Sequence, residues 1–301
     1  MFSGSLVAIV TPMHADGSID WPAWDRLLTM HLEAGTSGVV VAGTTGESAT
    51  VTDAELSTLL ERAKARLHGR VALLAGIGSS STAITAERAR RLSNADVDGL
   101  LVVTPAYNRP TQEGLYRHFE AIASAASVPM VLYNVPSRTA VDLLPATVAR
   151  LAKLPRVVAV KEAVASVERV RELVALTGAS FSVLSGDDAS CAQAMMTGAR
   201  GVISVTANVV PKQIAALSAA AVRGDRAEVE RLDAPLRALH EGLFIEPNPI
   251  PVKWVMSDEG WIERGIRLPL TELSESLRPR VRSLLAAART EAAVVPRAIS
   301  A

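Results

Sequence analysis

Little in this 301-residue chain points to a disulfide, a metal or a charged polymer. Its one cysteine, Cys191, cannot close an intrachain disulfide, and its place in the apolar stretch 189–196 predicts an inert core thiol. The five histidines, at positions 14, 31, 68, 118 and 240, show no metal-ligand spacing and read as structural or solvated side chains. Lysine plus arginine balances aspartate plus glutamate, 31 against 31, so neither nucleic acid nor an anionic membrane is an expected partner. The first apolar run, 6–10, is too short to span a bilayer, and no basic region precedes it, so a secretory signal is not expected. A reducing, cytoplasmic setting follows as the expectation. Lysine itself is scarce: five residues, at 64, 153, 161, 212 and 253, among 31 cations.

What the chain does have is apolar bulk, 49% of its residues, arranged in short strands that alternate with helical stretches. The pattern predicts strands at 5–11, 38–42, 71–75, 99–103, 130–133, 157–161, 181–184 and 201–205. The stretch after the second is typical of the helices. Thr52 and Glu55 make a capping box, and Leu56, Leu59, Leu60, Ala63 and Leu67 follow at helical spacing. Strands alternating with helices imply parallel pairing, and eight such units in about 210 residues fit a closed (β/α)8 barrel better than an open Rossmann-type sheet. From about residue 210 the strands stop. Helices are expected at 215–222, 226–244 and 270–288, with a Pro-rich link at 246–251 before a short segment at 252–256. We read residues 1–224 as the barrel and 225–301 as a helical region packed on it, frayed over 294–301.

Polar and small residues collect after strand upon strand: Gly43-Thr44-Thr45-Gly46-Glu47, Thr104-Pro105-Ala106-Tyr107-Asn108, Tyr133-Asn134 through Thr139, Lys161-Glu162, Ser185-Gly186-Asp187-Asp188 and Thr206-Ala207-Asn208. In a barrel these ends share one face, where active sites lie. Turn and cap chemistry explains the glycines and the aspartates, Asp187 or Asp188 as an N-cap, but not Tyr133 or Lys161. Lys161 ends the run Val157-Val158-Ala159-Val160, and an ammonium there is costly to desolvate, which favours the neutral amine that attack on a ketone requires. The ordinary alternative is a strand-end lysine reaching solvent or pairing with Glu162. By alternation Val131 and Tyr133 share a face, as do Ala159 and Lys161, so both pairs can point into the barrel. Tyr133 can then shuttle protons. Thr44 and Thr45 offer hydroxyls and backbone N–H groups for a carboxylate, and Arg138 a planar fork for a second one. Each has an ordinary alternative as core aromatic, turn residue or surface charge; their joint placement favours a Schiff-base site.

These same segments, with Gly201 through Asn208 and Glu246-Pro247-Asn248-Pro249-Ile250-Pro251-Val252-Lys253-Trp254, carry a resemblance. From residue 2 to about 285 the chain resembles the dihydrodipicolinate synthase family of pyruvate-dependent class I aldolases. The resemblance implies that Lys161 forms an imine with pyruvate. Tyr133 would pass protons, linked through Thr44 to a Tyr107 supplied by a neighbouring subunit. Thr45, Gly186 and the Ile203 carbonyl would border the pyruvate pocket, and Arg138 would hold the carboxylate of aspartate 4-semialdehyde. The product leads toward diaminopimelate and lysine. No metal or organic cofactor is implied, and the assembly would be a homotetramer built from tight dimers.

The chain departs from the family pattern in three places. Ala106 replaces the first of two tyrosines, and Val164 replaces a Thr or Ser after Lys161-Glu162-Ala163. Lysine-inhibited members line an interface cavity with two histidines, an asparagine, a glutamate and that first tyrosine. Here the aligned positions are Asp53, Leu56, Ser80, Ile84 and Ala106, which predicts little or no inhibition by lysine. Two further readings compete. Related lyases acting on sugar acids share the lysine and tyrosine but generally lack Arg138, and a non-catalytic pyruvate sensor would keep the pocket without turnover. A nucleotide site at Gly76-Ile77-Gly78 is set aside, because the third glycine of the fingerprint is missing and a tight turn with serine caps suffices.

Overall fold

Eight apolar runs form eight strands, and each is bounded where small or polar residues begin. They are β1 (Gly4–Ala8), β2 (Gly38–Val41), β3 (Ala72–Gly76), β4 (Gly99–Val103), β5 (Met130–Asn134), β6 (Val157–Glu162), β7 (Ser182–Ser185) and β8 (Gly201–Ser204). The computed structural model describes residues 2–67 and 69–294. The strands pair in sequence order, all parallel, and β8 returns to β1, so the expected closed barrel is the fold. Closure needs a glycine. A Cβ on Gly201 would stand 2.2 Å from the Gly4 carbonyl oxygen, so no larger residue fits the β1–β8 seam.

Around the strands run α1 (Trp21–Glu33), α2 (Asp53–Leu67), α3 (Thr82–Leu92), α4 (Gln112–Ala125), α5 (Pro136–Thr139), α6 (Pro145–Leu151), α7 (Val167–Thr177), α8 (Cys191–Met196) and α9 (Pro211–Val222). The capping box at α2 forms as read: Thr52 N–H donates to Glu55 Oε2 at 2.8 Å, and Glu55 N–H to Thr52 Oγ1 at 3.2 Å. All five apolar positions expected on its inner face are buried. Ser81 caps α3, as the serine-turn reading of 76–81 requires.

Strand alternation divides the core in two. Leu6, Ala8, Val40, Leu74, Leu101, Val131, Tyr133, Ala159, Leu184 and Ile203 fill the barrel interior. Their neighbours, such as Val7, Val39, Leu100, Leu132, Val160 and Val202, pack outward against helix residues including Leu59, Phe119, Leu173 and Leu217. Each such side chain contributes about 1.5–3 kcal/mol on burial.

The C-terminal region continues with α10 (Arg226–Asp233), α11 (Arg237–Gly242), α12 (Ile250–Asp258) and α13 (Arg278–Val294). Three expectations are corrected. The single helix expected over 226–244 is broken at 234–236, where Pro235 removes an amide donor and its ring crowds the preceding turn. The last helix starts at Arg278 rather than 270, with Pro279 in its first turn, where proline is accommodated. Similarly, β1 ends at Ala8 and not at residue 11. Of residues 294–301, over which fraying was expected, Val294 ends α13, and 295–301, like His68, lie outside the described residues. Among the described residues, no helix is long and apolar enough to cross a membrane.

Candidate active site

Register places the two chemistry-bearing side chains side by side. Tyr133 on β5 pairs with Lys161 on β6, and Asn134 pairs with Glu162 one step on. Lys161 is only 5% exposed, and its Nζ lies 4.4 Å from the centroid of the Tyr133 ring. The lysine therefore neither reaches solvent nor pairs with Glu162, whose carboxylate is held on the other side of the strand by Asn134 and the Val164 N–H. Gly186 makes the pocket possible. A Cβ there would meet Lys161 Cγ at 2.9 Å and Lys161 Cε at 3.0 Å, so only glycine lets the lysine stem pass. Ile203, buried on β8, closes the interior layer beside Tyr133 and Leu184.

The turn after β2 offers the expected donors. Gly46 and Ser48 return their N–H groups to Gly43 O, and Glu47 returns its own to Thr44 O, which shapes a tight loop. Among the described residues the N–H groups of Thr44 and Thr45 donate to no acceptor, leaving two adjacent donors for an anion. Thr45 Oγ1 accepts from Asn248 Nδ2 at 3.0 Å, and the Asn248 carbonyl accepts from Arg138 Nη2 at 2.9 Å. Asn248 thus ties the turn to the arginine of α5. It was not singled out from sequence as a site residue, although the Pro-rich link that contains it, with a cis Asn248–Pro249 bond, was the available signal.

Behind the same turn, Glu47 takes a positive φ of 57° and buries its carboxylate against Lys253, with the Arg267 N–H donating to its other oxygen at 3.0 Å. Burial pulls the Lys253 ammonium down while Glu47 pulls it up. Arg267 reaches on to Glu55 at 2.9 Å and holds that carboxyl at about 2. Losing one partner of such a buried pair leaves a charge uncompensated, a cost of about 3–5 kcal/mol. The turn is therefore held from below by residues of the C-terminal region.

The structure does not bring every expected residue together within one chain. Tyr107 is 94% exposed, on a left-handed backbone (φ 73°), in a loop fixed by Ser80 Oγ donating to Ala106 O at 2.7 Å and Asn108 Nδ2 donating to Ser80 O at 3.0 Å. Among the described residues no hydrogen bond joins Tyr133, Thr44 and Tyr107. Arg138 is exposed at the rim. Neither aspartate after β7 is the N-cap residue of α8, as was expected of one of them; that position is Ser190. Asp187 caps the turn into α8 by accepting the Ser190 N–H at 2.9 Å, whereas Asp188 accepts from Val205 and Thr206 N–H and fastens the end of β8. Cys191 is fully buried, and burial pushes its thiol well up. One ligand-like group was invisible in the spacing: His14, Asp20 and Glu263 bring their donor atoms within 4.8 Å of one another, sharing no residue with this site.

The chain as a whole has counterparts among known proteins. Residues 1–288 match the Dihydrodipicolinate synthetase family. The 4-hydroxy-tetrahydrodipicolinate synthase of Teredinibacter turnerae is 49% identical over 274 residues, covering 91% of this chain and 94% of that protein. The crystal structure of a chloride-inhibited dihydrodipicolinate synthase from Acinetobacter baumannii, complexed with pyruvate, superposes with a TM-score of 0.95 at 42% identity, over 96% of this chain and 99% of that one. A structure described as the first monomeric dihydrodipicolinate synthase variant is 39% identical, with a TM-score of 0.93, over 96% of this chain and 97% of that one. With a match that spans the barrel and the helices behind it, the chain belongs to the dihydrodipicolinate synthetase family.

Proposed function

We propose that this chain is a lyase-type enzyme that condenses pyruvate with L-aspartate 4-semialdehyde to 4-hydroxy-tetrahydrodipicolinate, in the diaminopimelate route to lysine. The observation that carries the reading is the Lys161 amine, buried beside the Tyr133 ring, with Gly186 where a Cβ would crowd the lysine stem. The amine of Lys161 adds to the keto carbon of pyruvate, and loss of water from the carbinolamine gives an iminium ion. Tyr133 passes the protons, through Thr44 and a Tyr107 from a neighbouring subunit. The pyruvate carboxylate takes the free N–H donors of the Thr44–Thr45 turn, with Gly186 and Ile203 bounding the pocket. Loss of a C3 proton makes an enamine, which attacks the aldehyde carbon of the second substrate, whose carboxylate Arg138 holds. The substrate's own amino group then attacks the iminium carbon, closes the ring and releases the Lys161 amine.

The test is a steady-state assay with both substrates, set against cleavage of sugar acids such as 2-keto-3-deoxy acids. Condensation without cleavage is expected; cleavage alone would overturn the choice of second substrate, and pyruvate binding without turnover would indicate a sensor.

The assembly we propose is a homotetramer built from dimers, in a cytoplasmic setting, with residues 1–224 as the barrel and 225–301 as its helical companion. The exposed Tyr107 and the neighbouring Ile84, 53% exposed, support a contact between subunits there. The same region supports weak lysine control. Asp53 is already paired with Arg88 at 3.1 Å and Arg91 at 3.2 Å, Ile84 offers only methyl groups, and the Ser80 hydroxyl is committed to Ala106. A cationic amino acid meets neither a free carboxylate nor an aromatic wall. In the same assay, free L-lysine is expected to leave the rate unchanged at millimolar concentration; half-inhibition at or below that range would refute this.

A further inference from the structure

On the outer wall of the barrel, directly behind the reacting pair, sits a buried polar cluster that the chemistry above does not use. Asn134 and Glu162 are register partners one residue past Tyr133 and Lys161, so their side chains leave the opposite face of the sheet. Both are fully buried. The Asn134 amide donates to Asp142 Oδ1 at 2.7 Å and to the two oxygens of Glu162 at 3.0 and 3.1 Å, while its own oxygen accepts the Leu143 N–H at 2.9 Å. Glu162 Oε1 also accepts the Val164 N–H at 2.9 Å. Arg169 of α7 binds Asp142 at 2.6 Å and stands 3.9 Å from Glu162. The backbone continues the connection. Ala163 N–H donates to Asn134 O at 3.0 Å, and the N–H of Gly186, the residue under the lysine stem, donates to Glu162 O at 2.7 Å.

We propose that Glu162 is a positioning residue for the Lys161–Tyr133 pair, ionised in the working enzyme and acting through Asn134, Arg169 and the Val164 N–H. The inference rests on the Schiff-base reading above and deepens it. Three elements that bear the site meet at this one residue: the end of β5, the end of β6 and the loop after β7. Every hydrogen-bond partner of its carboxyl is a donor, so the anion satisfies the cluster, whereas a protonated acid would set an O–H against N–H groups. Burial nevertheless opposes the charge. Desolvation pushes the Glu162 carboxyl up to about 7, helped by the like charge of Asp142 and resisted by the Val164 N–H, Asn134 and Arg169. Glu172, also on α7, acts on the cluster through Arg169. As pH falls through that range Glu162 takes up a proton, the charge-assisted bonds weaken, and the two strand ends lose their brace.

The experiment measures kcat and KM for both substrates across pH about 5.5–8.5 in the wild type, Glu162→Gln and Asp142→Asn, with borohydride trapping of pyruvate on each protein. The wild type is expected to lose rate as pH falls through about 7. Glu162→Gln, neutral throughout, is expected to lack that limb and to have kcat lowered about tenfold at alkaline pH, with the pyruvate KM within about twofold, because geometry rather than binding is disturbed. Asp142→Asn removes the neighbouring like charge and is expected to move the limb to lower pH. A Glu162→Gln protein that keeps the wild-type kcat and limb, or an Asp142→Asn limb that stays in place, overturns the proposal. If Glu162→Gln fails to fold, the Asp142→Asn limb alone decides. Absence of trapping on wild-type Lys161 would bring down the Schiff-base reading and this inference together. Trapping with unmoved limbs removes this inference alone.

Discussion

Borohydride reduction in the presence of pyruvate is expected to leave a stable secondary amine on Lys161, found by peptide mass mapping, and Lys161→Ala is expected to lower kcat/KM on the order of 10⁴-fold or more, the scale on which deleting a covalent nucleophile acts elsewhere. The structure supplies an internal control. Lys253 is as deeply buried as Lys161, but its ammonium is locked on Glu47 beneath the Thr44–Thr45 turn. It is expected to stay unmodified, along with Lys64, Lys153 and Lys212. Burial alone therefore does not make a lysine reactive: Lys253 is tied up in an ion pair, whereas among the described residues Lys161 has none and lies against the Tyr133 ring. A fully folded protein whose adduct maps to any lysine but Lys161, or to none, would end the mechanism proposed here.

The second large effect concerns Tyr107, which is 94% exposed in its own chain. Tyr107→Phe is expected to cost roughly 10²-fold or more in kcat, the range of a lost proton-transfer group, with the pyruvate pocket intact. Mixing supplies the stronger test. When Tyr107→Phe and Lys161→Ala chains are coexpressed in equal amounts, half of the dimers are mixed. Each mixed dimer holds one site with an intact lysine from one subunit and an intact tyrosine from the other. Activity is then expected to return to about a quarter of the wild type, although both parents are nearly dead. Activity no greater than the sum of the parents would show that Tyr107 does not act across a subunit boundary.

The barrel was legible because its strands are short apolar runs separated by capped amphipathic helices, and eight of them in sequence leave few arrangements. Boundaries were less so. Residues 9–11 continue the apolar run of β1 yet leave the ladder, and Pro235 breaks a stretch whose apolar spacing alone reads as one helix. Lys161, Tyr133 and the Thr44–Thr45 turn were readable because lysine and tyrosine have no reason to end a strand and threonines between glycines expose N–H groups. What escaped were the residues that hold those groups in place. Asn248 and Lys253 lie two hundred positions from Thr45 and Glu47, and no periodicity links such distant points. Glu162 was visible only as an ordinary partner for Lys161. Its attachment to Asn134 on the other face depends on strand register, which is settled by the closed sheet and not by any local pattern.

The bonds from Thr45 to Asn248 and from Glu47 to Lys253 and Arg267 also bear on how the molecule comes into being. A ribosome delivers the substrate-holding loop about two hundred residues before its anchors. Nascent chains and prematurely terminated products that stop short of residue 267 would own the nucleophile but lack part of the scaffold that fixes this loop.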